Sequence, residues 1–75
     1  MTRKSGSANP VFKIVEVIGT SPTSWEDAAR SAVESAAKTL RDLRVAEVTK
    51  LDMKIDNGKV VAYRARVSMS FRHED

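Results

Sequence analysis

His73 is the only imidazole in the sequence, and it has no cysteine to work with. Disulfides, thiolate zinc sites and Cys-His nucleophile pairs are therefore excluded by composition. One histidine does not build a His-based metal site, and no Ser-His-Asp set is visible around this near-terminal one. Four of the ten carboxylates (Glu26, Asp27, Glu34, Asp42) fall on one polar helical stripe, where hydration is their ordinary state. Nothing pairs a nucleophile with an oriented base, so the chain reads as non-enzymatic. Of the carboxylates outside that stripe, two are the candidate ligands. Glu16 interrupts an otherwise apolar row, and Glu47 is the second choice; the plainer account of each is an ion pair with Arg64, Arg66 or a lysine. Arg64, Arg66 and Arg72 share one parity, but a net charge of +3 and the scarcity of aromatics give no nucleic-acid footprint and no base-stacking platform.

These side chains need elements to carry them. Residues 24–43 read as the one helix. Trp25, Ala28, Ala29, Ala32, Val33, Ala36, Ala37, Leu40 and Leu43 follow the i, i+3, i+4, i+7 spacing of a single face. On the other face Glu26/Arg30, Arg30/Glu34 and Glu34/Lys38 stand four apart and can pair. Thr23 and Glu26 fit a capping box, Pro22 blocks growth backwards, and Glu26 and Asp27 suit the positive end of the helix dipole. The apolar face is mostly alanine, which suits a helix lying close on a sheet. Trp25 is a core residue in this reading.

Residues 11–18 are rich in β-branched side chains and read as the first strand. Phe12, Ile14 and Ile18 form one row; Val11, Val15 and Val17 form the other. A strand apolar on both faces is covered on both faces, and one helix covers only one. Gly19-Thr20-Ser21-Pro22 can offer backbone N–H groups to an anion but is read as an ordinary turn. Residues 44–56 and 59–72 alternate with period two around Asp56-Asn57-Gly58, a hairpin signal. A two-residue loop would set apolar Met53 and Leu51 against Ala62 and Arg64. A three-residue loop with Gly58 left-handed pairs Met53 with Val61 and Leu51 with Tyr63, and is the one expected.

The fold class is therefore α+β, in β-α-β-β order: a three-stranded antiparallel sheet wrapped on one helix. Residues 1–10 form a polar, mobile tail and residues 11–75 a single domain. The last strand reaches roughly 45 Å and the helix about 30 Å, so the sheet outruns its cover, with Met69 and Phe71 expected at the bare end. A chain this short usually needs a staple, and with disulfides and thiolate or histidine metal sites excluded, oligomerisation remains. No apolar run suits a membrane span or a signal peptide, and the expected home is the cytoplasm.

The segment VFKIVEVIGTSPTSWEDA, then KTLRDLRVAEV, then SFRHE, resembles the dodecins over residues 11–74. Its most specific parts are E-x-I-G-T-S, from Glu16 to Ser21, and K-T-L-R-x-L, from Lys38 to Leu43. The resemblance implies a hollow spherical homododecamer. Many dodecins bind flavin pairs between subunits and are thought to store them. The resemblance also places the flavin-stacking tryptophan at Val45, with Ala46 beside it, and the ring-edge glutamine at Arg64. Valine offers no stacking face and arginine no acceptor, so flavin stacking is expected to be weakened or lost. The tracts IGTSPTSWE and RVAEV are closer to a subgroup known as calcium dodecins. That implies calcium as the candidate ion, without the D-x-D-x-D-G loop. One carboxylate per copy, Glu16 first and Glu47 second, can suffice where symmetry gathers several. The reading is of a small-ligand or ion binding and storage assembly. Its alternatives are a riboflavin/FMN storage dodecin and a purely structural shell without ligand.

Overall fold

A computed structural model describes residues 9–72. The elements are β1 (Phe12–Ser21), α1 (Trp25–Ala37), β2 (Leu43–Asp56) and β3 (Lys59–Arg72). They form one antiparallel sheet in the order β1-β3-β2, so β3 is central and β1 and β2 are edges. Residues 1–8 of the expected tail, and His73, Glu74 and Asp75, lie outside the described residues.

α1 crosses one face of the sheet. Its small side chains permit a close approach: Ala28 and Ala32 form the buried core with Ala65, Val67 and Met69 of β3. Val15, Val17, Ala29, Val33, Ala36 and Leu43 pack around them. The first strand runs to Ser21 rather than ending at Ile18, so Gly19, Thr20 and Ser21 belong to β1, paired with Ala65, Arg64 and Tyr63. Gly19 lies directly beneath α1. A Cβ there would collide with the carbonyl oxygen of Ala28 and sit 2.9 Å from the Cβ of Ala32.

Both ends of α1 differ from expectation. The cap is Ser24, whose hydroxyl accepts from the Asp27 N–H at 3.0 Å, one residue after the expected Thr23/Glu26 pair. The cause is Ser21, which is 2% exposed. Its hydroxyl donates to Asp27 Oδ2 at 2.8 Å and accepts from the Thr23 N–H at 3.0 Å. Thr23 is thus tied back to the strand and cannot serve as the cap. The helix also stops at Ala37, although the apolar spacing continues to Leu43. The N–H groups of Thr39 and Leu40 both fall on Ala36 O, and Asp42 at φ 57° turns the chain into β2. Among the described residues the ion pair on α1 is Asp27–Arg30 at 3.8 Å, not the three expected pairs.

The hairpin keeps the expected faces by a different device. Asn57 (φ 54°) and Gly58 (φ +76°) are both left-handed, which makes a two-residue turn with Asp56 opposite Lys59 and Ile55 opposite Val60. The register then slips, leaving Val61 as a bulge, and Met53 faces Tyr63 while Leu51 faces Ala65. The expected three-residue loop is replaced by a tight turn and a bulge, and apolar still meets apolar. A second slip leaves Thr49 unpaired, its hydroxyl donating to Arg66 O at 3.2 Å, and a third leaves Arg44 unpaired.

The sheet does outrun the helix, but at the other end. Met69 is fully buried. α1 starts beside Tyr63 and runs back toward Leu43 and Phe71, so it covers the half of β3 that pairs with β1. The hairpin carrying Leu51, Met53, Ile55, Val60 and Val61 is left bare, each 44–63% exposed. The radius of gyration is 16.3 Å, against about 11 Å for a compact chain of this length.

Candidate functional site

Directly opposed residues of antiparallel strands point to the same side, so the register fixes what the helix-free face presents. In successive rows across β1, β3 and β2 it carries Thr20-Arg64-Asp52, Ile18-Arg66-Lys50, Glu16-Ser68-Glu47 and Ile14-Ser70-Val45. The two candidate carboxylates therefore share one row, on either side of Ser68. Two strand spacings separate their backbones, about 10 Å. The Thr49 bulge brings this about. Without it Glu47 would oppose Met69 and point toward the helix.

Neither Glu16 nor Glu47 has a cation within salt-bridge distance among the described residues, so the expected pairing with Arg64, Arg66 or a lysine is not made among them. No group of three or more His, Cys, Asp or Glu able to hold a metal occurs among the described residues. Calcium takes six to eight oxygens. Two carboxylates and the Ser68 hydroxyl are an incomplete set, and completing it takes further oxygens, from water, backbone carbonyls or other copies.

Val45 and Arg64 lie on the same face but are not brought together. Val45 opposes Ser70, six residues along β3 from Arg64, which is about 20 Å of strand. Val45 is open to solvent. Arg64 is engaged: its Nε donates to Asp52 Oδ1 at 2.7 Å and its Nη2 to Oδ2 at 3.1 Å. The Arg64 hydrogen bonds hold the Asp52 carboxyl below its usual value and raise the guanidinium in turn. The backbone carbonyl of Asp52 also accepts from Trp25 Nε1 at 3.0 Å, and the Trp25 ring stands edge-on to Tyr63 at 5.2 Å. Trp25 thus ties the start of α1 to the root of the hairpin.

Asp52 is the residue that sequence reasoning missed. The expected register set it opposite Ala62, and only the Val61 bulge moves it to Arg64. Because the folded carboxyl titrates low, any stabilisation from this pair is present at neutral pH and is lost as pH falls through the folded value. Both partners are solvated, so the contribution is small. Substituting Arg64→Gln is expected to move the Asp52 carboxyl titration, followed by NMR, upward toward the ordinary carboxylate range; an unmoved midpoint would show that the fork does not persist in solution.

Residues 19–21, read from the sequence as part of a turn, are the end of β1, paired with β3. A groove of about 570 Å³ runs between β1 and α1, lined by Val15, Val17, Thr20, Ser35, Ala36 and Leu40 among others.

The two sequence motifs now have structural roles. E-x-I-G-T-S supplies the glycine beneath the helix and the buried Ser21, and K-T-L-R-x-L is the helix exit. The Dodecin family model matches residues 11–74. The chain belongs to the dodecin family. It is 45% identical over 62 residues to the calcium dodecin of Mycobacterium tuberculosis, covering 83% of this chain and 87% of that one. The crystal structure of the M. tuberculosis calcium dodecin, described as having a novel calcium-binding site, superposes with a TM-score of 0.77 at 46% identity, over 85% of this dodecin and 91% of that chain. The dodecin of Streptomyces coelicolor superposes with a TM-score of 0.85 at 37% identity, over 91% and 97% of the two chains. The α+β fold in β-α-β-β order is thus shared along nearly the whole of these dodecins.

Proposed function

We propose that this dodecin is a non-enzymatic, homo-oligomeric binding and storage protein of the cytoplasm, a dodecamer by family resemblance. Its candidate ion is calcium, its candidate ligands are Glu16 and Glu47, and its flavin stacking is weakened or lost. The observation that carries this reading is the shared row of two carboxylates on an open face, neither of them ion-paired among the described residues. The similarity to the M. tuberculosis calcium dodecin supports the choice of ion. Against flavin stand Val45, which offers no ring, and Arg64, which is forked onto Asp52 and has no acceptor to offer a ring edge. Among the described residues no helix is long and apolar enough to cross a membrane.

One sample tests the parts. Calorimetry with calcium should show binding that falls at least tenfold in Glu16→Gln. Riboflavin fluorescence should stay unquenched at micromolar protein in the parent. The double substitution Val45→Trp, Arg64→Gln should acquire quenching, since aromatic stacking of a flat ring is worth of the order of 1 kcal/mol or more per contact. Quenching by the parent would establish the flavin-storage alternative. Binding of neither ligand would leave a purely structural assembly.

A further inference from the structure

Arg66 and Lys50 stand directly opposite each other on the helix-free face, in the row next to Glu16, Ser68 and Glu47. Like charges opposed across a sheet destabilise it. Among the described residues neither cation has a carboxylate within 4 Å. Asp52, in the row beyond, is forked onto Arg64. A backbone irregularity creates this arrangement. Glu47 and Lys50 are three residues apart in β2, an odd separation that puts side chains on opposite faces of a regular strand. The Thr49 bulge turns both onto one face. Bulges recur beside functional sites, where they re-aim a side chain, and local rules such as the one against opposed like charges are broken chiefly at such sites. Between Glu16 and Arg66 the surface dips into a cavity of about 440 Å³, bounded by Val17 and Ile18. That is more room than a bare metal ion fills, and a carboxylate and a guanidinium both line it.

The charges of Glu16, Glu47, Arg66 and Lys50 cancel formally. A divalent cation on the acidic row therefore leaves an excess of two positive charges, with the basic row only about 7 Å away along the strands. A dianion removes that excess. We propose that Arg66 and Lys50 form an anion subsite beside Glu16 and Glu47, and that this dodecin takes calcium together with a phosphate-class dianion. Oxygens of the anion complete the ligand set that the two carboxylates and Ser68 leave short. Its remaining oxygens accept from the Arg66 guanidinium, whose planar fork matches phosphate, and from the Lys50 ammonium. Without the cation the two carboxylates repel the anion, so each ligand favours the other, and by linkage the effect is equal in both directions.

A free phosphate and the terminal phosphate of a monoester share this chemistry, and the cavity beside Arg66 has space for the substituent of the second. A nucleic-acid backbone fits less well, since its binding draws on a longer track of cations than one row supplies. The plain alternative is that Arg66 pairs with Glu16 and Lys50 with Glu47 across the rows, which leaves no cation for an anion. This inference rests on the calcium part of the proposed function and adds the second ligand to it.

Calorimetry with micromolar calcium, run with and without millimolar inorganic phosphate, tests it. Phosphate should tighten calcium binding by the parent at least about fivefold, the low end of ordinary coupling between sites. In the double substitution Arg66→Gln, Lys50→Gln the phosphate effect should vanish. Calcium alone should bind that variant as well as the parent or better, because two repelling cations are gone; a variant that was merely damaged would lose both. A parent indifferent to phosphate, or an enhancement that survives in the double variant, overturns the subsite and leaves the calcium reading intact. Absence of calcium binding in either buffer overturns the calcium reading, and the subsite with it. Glycerol phosphate in place of phosphate separates the two sources: enhancement by both supports a monoester with its substituent in the cavity, and enhancement by inorganic phosphate alone supports the free anion. If the double variant fails to fold, the parent decides. The phosphorus NMR resonance of phosphate should broaden with protein and calcium together and not with protein alone. Broadening without calcium, or none with it, overturns the proposal.

Discussion

Substituting Gly19→Ala should destabilise the protein by about 3 kcal/mol, the upper part of the range for overpacking a close-fitted site. The obstacle is backbone, not a movable side chain. An added Cβ meets the carbonyl oxygen of Ala28, approaches the Ala28 carbonyl carbon to 3.0 Å and the Ala32 Cβ to 2.9 Å. Ala28 is fully buried and Ala32 nearly so, so relief requires lifting α1 away from Ala65 and Val67. That movement opens the core along its length. At about 4–8 °C per kcal/mol for a domain of this size, the midpoint of thermal unfolding should drop by about 12–24 °C. The comparison holds at a fixed protomer concentration, because assembly adds a concentration-dependent term. Gly58→Ala is the control. It has a left-handed φ of +76° but nothing within 4 Å of the added carbon, so only the conformational penalty of about 1 kcal/mol applies. If the two substitutions cost the same, helix–sheet contact is not what requires glycine at position 19.

That contact also shows how far residue order reaches. The alanine face of α1 and the alternation of β2 and β3 set the element order and the layer, because both are local periodicities. The bulges were not legible. An extra residue is defined only against a partner strand, and Thr49 and Val61 look ordinary in their own. Their consequences are the substance of the site: Val61 brings Asp52 opposite Arg64, and Thr49 turns Glu47 onto the face of Glu16. The cap was ambiguous for a different reason. Thr23-x-x-Glu26 and Ser24-x-x-Asp27 overlap by one residue, and the buried Ser21 hydroxyl decides between them by binding Thr23. The apolar spacing beyond Ala37 misled because Leu40 and Leu43 keep helical phase while Asp42 turns the chain. The bare end was misplaced because strand lengths say how much sheet is left over, and only the course of α1 says where.

The bare hairpin leads to the other large expected effect. Ile55 is 63% exposed and Val60 47% exposed, directly opposite each other near the turn. Both lie beyond the reach of α1, so neither contributes much to the core of a single copy. Replacing them together, Ile55→Lys with Val60→Glu, removes apolar surface while leaving an opposite-charge cross-strand pair that supports the same hairpin. The protomer should fold as before by circular dichroism. Association should weaken sharply: fully burying an aliphatic side chain of this size is worth about 1.5–3 kcal/mol, so losing two costs roughly 3–6 kcal/mol per interface. At 1.4 kcal/mol per factor of ten that is about a hundredfold to ten-thousandfold in the association constant. In sedimentation or light scattering at micromolar protein the variant should run at a fraction of the parental mass, and its unfolding midpoint should no longer rise with protein concentration. The elongated shape makes the result diagnostic. If the mass is unchanged, the exposed hairpin is not what holds copies together, and assembly must rest on the helix-free face or on the groove between β1 and α1.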